Sequence, residues 1–254
     1  MPTNEQLETF LLVFVRCLSF FSIGPLFSDR NIPNPIKALA ALATTFALYP
    51  TVAPEQMFLV PTLLGLLILL GRELLLGAAL GLASDFVFQG IQMAGTLLGV
   101  QMGFSVVNVF DPSSASEVSV IGRMQQLLAV FLFLLVDGHH LFLRALAFSL
   151  HRVPPGGALS ATALATAILP MAGTMFVTTI QVGAPILGAL FLTDAALGFV
   201  ARAVPQMNVF VVGIPVKIGV GLVLLVVTAP LFARLVTWHF QGLEGQLQAL
   251  LGGI

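Results

Sequence analysis

Charge is what this chain has least of. Its 254 residues carry 10 Lys or Arg and 11 Asp or Glu, 8% in all, where soluble domains hold about 25%. That shortage excludes a well-solvated globular surface. With 58% apolar residues and a mean hydropathy of +1.04, the chain is expected to be an all-α integral membrane protein. A net charge of -1 leaves no basic stripe to displace counterions, so no nucleic-acid partner is expected. Cysteine is nearly absent. Cys17 stands alone, which excludes an intrachain disulfide and a thiolate metal cluster and leaves it a small buried apolar residue. The opening MPTNEQLETF holds Glu5 and Glu8 but no Lys or Arg. It therefore lacks the positive region of a cleaved signal peptide, and membrane entry is expected to rely on the hydrophobic segments themselves.

What is there is a series of apolar runs, measured against about 20 residues per bilayer crossing. The first, Leu7 to Phe27, carries Arg16 in its middle, a residue tolerable there only against protein or water. Ile36 to Tyr49 is short for a crossing and stops at Pro50 and Pro54, as one arm of a helical hairpin would. Met57 to Phe88 reads as one long helical run, interrupted by Gly71-Arg72-Glu73 and by Asp85. Adjacent Arg72 and Glu73 point about 100° apart on a helix, so each needs its own partner. Glycines recur at Gly77 and Gly81 and again at Gly95, Gly99 and Gly103, a spacing that makes a flat groove for a neighbouring backbone. Val153 to Thr193 contains no charged residue and reads as two helices of a hairpin, broken at Pro170 or at Gly183-Ala184-Pro185. Ile218 to Leu231 is the last apolar segment, followed by Trp238 and His239, which suit a membrane interface.

Three polar islands interrupt these runs. The largest is Gln101 to Met124, QMGFSVVNVFDPSSASEVSVIGRM. Asp111-Pro112 favours a turn start and the serines compete for backbone hydrogen bonds, so this is a loop, long enough for a lid or plug. The second is Asp137-Gly138-His139-His140. Paired histidines beside a carboxylate suggest a metal site, but adjacent histidines on a helix diverge, and no second cluster supports them; no metal or other cofactor is expected. The third runs from Asp194 to Lys217, DAALGFVARAVPQMNVFVVGIPVK.

Arg16, Arg72, Glu73, Asp85, Asp137 and Asp194 all fall within or beside apolar runs. Lipid is a poor solvent for them, and a chain of this size has limited capacity to satisfy them alone. Burial among other helices is expected, with the charges paired across subunits or facing a watery lumen, which favours a subunit of a helical assembly. An ion or small-molecule transporter would use Asp85, Asp137, Asp194 and Arg202 as a coupling pathway. An intramembrane hydrolase lacks support: Ser84-Asp85 has no nucleophile-elbow turn around it, and no histidine has a serine partner at a recognisable spacing. The chain is not expected to be an enzyme.

Four blocks carry a family resemblance. GRELLLGAALG at Gly71 to Gly81, FDPSSASEVSVIGRM at Phe110 to Met124, DGHHLFLRAL at Asp137 to Leu146, and PQMNVF followed by GIPVKI in the third island resemble the FliR family of flagellar biosynthetic proteins, in the family's order and over essentially the whole chain. The virulence-associated type III secretion homologues are its near relatives. The resemblance implies a subunit of the export gate in the bacterial inner membrane and flagellar basal body. That gate is built with FliP and FliQ, works with FlhA and FlhB, and passes unfolded flagellar proteins; much of its core is raised toward the periplasm. It implies helical hairpins resembling a fusion of a P-like part, residues 1–123, and a second part, residues 124–254, with a Q-like hairpin and a polar loop at 202–217. By the same resemblance the central plug falls on 103–123. Phe104, Val106, Val107, Val109 and Phe110 would supply its apolar bulk, and Asp111 and Pro112 would shape its turn. Arg72, Glu73, Gly95, Gly99, Gly103, Asp194, Arg202, Pro205, Gln206, Asn208 and Lys217 are the assembly and packing residues expected.

Overall fold

The computed structural model describes residues 4–28, 32–52, 62–104, 119–157, 159–206 and 208–252. Their regular structure is helical, with no strand among the described residues: α1 Asn4–Ile23, α2 Asn34–Leu48, α3 Leu63–Met102, α4 Val120–Leu135, α5 Gly138–Arg152, α6 Ala161–Ala203, α7 Val209–Val227 and α8 Ala229–Gly252. A short 3-10 turn, Tyr49–Thr51, follows α2. Three helices, in α1, α3 and α6, are long and apolar enough to cross a membrane. The number rises to as many as five if α4 with α5, and α7 with α8, each count as one broken span. The protein is an all-α integral membrane protein.

Helix α6 corrects the expected hairpin. It runs unbroken for 43 residues through Pro170 and Pro185. Each proline removes one backbone hydrogen bond, but both lie on exposed faces, as do Thr166 and Gln181, whose carbonyls lose the donor. At about 1.5 Å per residue, α3 and α6 follow paths of about 60 and 65 Å, twice the hydrocarbon thickness of about 30 Å. Helices of that length extend well beyond one bilayer core.

The helices form two compact units interleaved along the chain: Met1–Phe86, Asp137–Gly173 and Phe240–Ile254 in one, Val87–Val136 and Thr174–His239 in the other. This is a grouping by packing and a different partition from the P-like and Q-like parts. In the first unit, Gly77 and Gly81 of α3 face α1. A Cβ at Gly77 would overlap the Arg16 carbonyl, and one at Gly81 would stand 3.0 Å from that of Phe20. Close approach lets the Ser19 hydroxyl donate to the Leu74 carbonyl across the seam (2.7 Å). The end of α8 closes this unit with Phe240, Leu243, Leu247, Leu250 and Leu251, all buried, at helical spacing on one face.

In the second unit α3 continues with the same device. Gly90 meets α6, where a Cβ would come within 2.6 Å of the Met175 carbonyl, and the Thr179 hydroxyl donates to the Gly90 carbonyl (3.0 Å). Leu98, Met102, Ile121, Ile186 and Leu190 make the core around it. His239, expected at an interface with Trp238, turns inward. It is 6% exposed against 61% for Trp238, with Nε2 2.9 Å from Gln181 Oε1 and Nδ1 3.4 Å from the Thr178 hydroxyl.

Candidate functional site

Four residues of the central and third islands, Gln101, Gly103, Asp194 and Lys217, lie where α3 ends. Helix α3 stops at Met102 because Gly103 takes a left-handed conformation (φ 95°). The Gly103 N–H then donates to the Val100 carbonyl and the Phe104 N–H to the Gly99 carbonyl, both at 3.0 Å, the two-bond cap that glycine permits at a helix end. Gly103 is thus a helix stop, whereas Gly95 and Gly99 are packing glycines. A Cβ at Gly95 would come within 2.6 Å of the Gly122 Cα, and one at Gly99 would overlap the Ser119 hydroxyl. Phe104 and Ser119, the described residues flanking 105–118, therefore both meet Gly99. Phe104 itself is half-buried against the Leu98, Met102, Ile121, Ile186 and Leu190 core. Val106, Val107, Val109, Phe110, Asp111 and Pro112 lie outside the described residues.

Two residues before Gly103, the Gln101 amide donates to Asp194 Oδ2 of α6 (2.7 Å). The Lys217 ammonium of α7 donates to the same carboxylate, 2.9 Å from Oδ1 and 3.1 Å from Oδ2. Helix α7 backs onto the end of α3 with one stripe, Ile214, Lys217 and Gly221, spaced three and four residues apart. Ile214 Cγ2 stands 3.4 Å from where a Gly103 Cβ would lie, and a Cβ at Gly221 would come within 2.5 Å of Met102 Cε. Pro215 lies inside α7. Its missing N–H leaves the helix locally deformable beside Lys217.

The polar turn after α6 is the exposed counterpart. Arg202, Pro205, Gln206 and Asn208 are all exposed, and Arg202 has no ion-pair partner among the described residues. Sequence spacing alone put Arg202 and Lys217 in one island. The structure separates them: Lys217 is engaged within the chain, while Arg202 faces outward.

Arg16 and Glu73 make a second cluster, in the first unit. Arg16 Nε donates to Glu73 Oε2 (2.5 Å), one terminal nitrogen to the Ser149 hydroxyl (3.3 Å) and the other to the Val153 carbonyl (2.9 Å). Glu73 Oε1 accepts the Gly156 N–H (3.0 Å). Burial among other helices, as expected, answers Arg16 and Glu73, and their pair, like that of Asp194 and Lys217, is made within the chain and not across subunits. Long helices folded side by side bring together residues 57 and 23 positions apart, separations beyond the reach of helical periodicity. Arg72 is half-buried and has no partner among the described residues. The polar group missed on sequence is Ser149, whose only signal was its place on α5 one turn from the basic end His151-Arg152.

Glycine seams, a capped helix end and internal ion pairs build a junction of helices. The sequence matches the family described as Bacterial export proteins, family 1, over residues 7–243. The chain belongs to this family. Among curated relatives, flagellar biosynthetic protein FliR of Bacillus subtilis (strain 168) is 36% identical over 226 residues, covering 88% of this chain and 86% of the relative. FliR of Escherichia coli (strain K12) is 30% identical, covering 91% and 89%. FliR of Aquifex aeolicus (strain VF5) is 28% identical, covering 95% and 93%. The four sequence blocks all fall within the part matched to the bacterial export family, which also holds α2 to α7 entire.

Proposed function

We propose that this chain serves flagellar protein export as a subunit of the type III export gate, forming with FliP and FliQ the pore through which unfolded flagellar proteins cross the bacterial inner membrane. The observation that carries this reading is the family match over residues 7–243, joined by flagellar relatives covered nearly end to end. FlhA and FlhB are the further export-apparatus partners, the flagellar basal body is the location, and part of the assembled core is raised toward the periplasm. Helices of about 60 Å suit a body taller than a bilayer.

The role of the central interval is noncatalytic. Apolar side chains from 103–123 seal the closed pore by dewetting and yield to a passing polypeptide with no covalent step. Support comes from the base of the interval, where Gly99 receives both Phe104 and Ser119 and Asp194 ties the end of α3 to α6 and α7. A plug needs such a fixed foot. The exposed turn with Arg202, Pro205, Gln206 and Asn208 is the subunit-contact element.

Co-expression with FliP and FliQ tests the assembly: an ordered complex containing all three is expected, and a stable monomer or dimer with substrate-dependent small-molecule transport would sink the gate reading. Deleting residues 106–118 is expected to leave that complex intact while ions leak across the membrane. Conductance equal to that of the intact complex, with assembly verified, removes the plug role.

A further inference from the structure

At the start of α5, Asp137, His139 and His140 form a cluster to which the export reading assigns no role. Adjacent histidines diverge in mid-helix, but these occupy the first turn, and their rings stand 4.2 Å apart, tilted by 37°. One nitrogen of each imidazole and one carboxylate oxygen of Asp137 lie within 4.8 Å of one another. Asp137 Oδ1 is 3.9 Å from His140 Nδ1, too far for a hydrogen bond, so the two face each other without engaging. His139 Nδ1 is buried with no hydrogen-bond partner among the described residues. Asp137 itself is the one described non-glycine residue with positive φ, 56°.

We propose that Asp137, His139 and His140 form a binding site for a divalent transition-metal ion. Two imidazoles and one carboxylate are borderline nitrogen and oxygen donors of the kind that suits zinc, nickel or copper rather than calcium or magnesium. The ion would engage the orphaned imidazole and leave a coordination position open to water. Metal–nitrogen bonds of about 2.0–2.1 Å require ligand atoms no more than about 4.2 Å apart, closer than 4.8 Å. Side-chain rotation closes the difference, because the side chains of Asp137 and His140 are 75% and 58% exposed. The positive end of the α5 dipole opposes a cation, as does Arg144, one turn beyond His140. Binding is therefore modest and depends on all three ligands together.

The test uses the full chain in detergent, purified through a tag without histidine, stripped with chelator, and titrated with Zn2+ by calorimetry and with Co2+ by visible absorption. One ion per chain is expected. Asp137→Asn, His139→Ala and His140→Ala should each weaken binding about tenfold or more, while His151→Ala leaves it unchanged. Helical circular dichroism establishes that each variant is folded; His140, being exposed, provides the variant least exposed to a folding defect. Absence of saturable binding by the native chain overturns the proposal. So does affinity retained in full by folded Asp137→Asn and His140→Ala.

Discussion

The Arg16–Glu73 and Asp194–Lys217 ion pairs, both between helices, differ in their surroundings. Arg16 and Glu73 have side chains 1% and 3% exposed, and the guanidinium uses all three of its nitrogens on protein acceptors. Lys217 and Asp194 are 20% and 39% exposed and share one further partner, the Gln101 amide. A fully enclosed pair has surrendered its hydration, so it survives only when nearly every donor and acceptor is matched; removal of one partner strands the other. A half-exposed pair keeps some water, and water absorbs most of the change when it is broken. One cluster is therefore a dry structural tie of the first unit, and the other a partly hydrated tie at the end of α3.

The largest effect expected is for Glu73→Ala, which leaves Arg16 buried and the Gly156 N–H unpaired. A loss of about 3–5 kcal/mol is expected, read as a collapse of thermal stability in detergent, whereas Asp194→Ala should cost no more than about 1 kcal/mol. Equal losses would break the contrast between the two pairs. Next comes Gly77→Val, which pushes a branched side chain into the α1 backbone beside Arg16; a cost of about 1–3 kcal/mol is expected. Gly71→Val serves as its control, since nothing lies within 4 Å of the added Cβ. If both melt alike, the seam does not hold Arg16 in place.

A smaller effect is expected at the second cluster's edge. Gly103→Ala places a side chain in a left-handed conformation at a cost of about 1 kcal/mol, and hydrogen exchange of the Phe104 amide should speed up if the cap loosens. Unchanged exchange would mean that the Asp194 tie holds the helix end without the cap. The smallest effect separates the pairs by salt. At about 1 M ionic strength the Debye length is near 3 Å, so the small stability difference between the native chain and Asp194→Asn should shrink, while that of Glu73→Ala persists. Persistence of both would show that the Asp194 tie is shielded from solvent.

Much of this was readable from composition and spacing. The want of charge and the apolar runs determine an all-helical membrane protein, because only helices satisfy their backbone within lipid when no closed barrel is available. Glycines at every fourth residue announce close helix contacts, and α1 and α3 do meet at Gly77 and Gly81. An arginine amid Leu7 to Phe27 announces that something must meet it. Four sequence blocks sufficed to indicate the export family. These are local or periodic signals, and each is legible because the cost it avoids is set by the residue itself.

Tertiary structure decided the rest. That Arg16 is answered by Glu73, Ser149 and Val153, up to 137 positions away, depends on which helices pack, and no spacing rule reaches so far. That α6 runs on through Pro170 and Pro185 is not legible from the prolines themselves, and that Gly95 and Gly99 line a seam depends on where α4 lies. A residue's type states what it needs from its surroundings. Only the folded chain determines which neighbour supplies it, because that choice is made by the packing of whole helices and not by any single side chain.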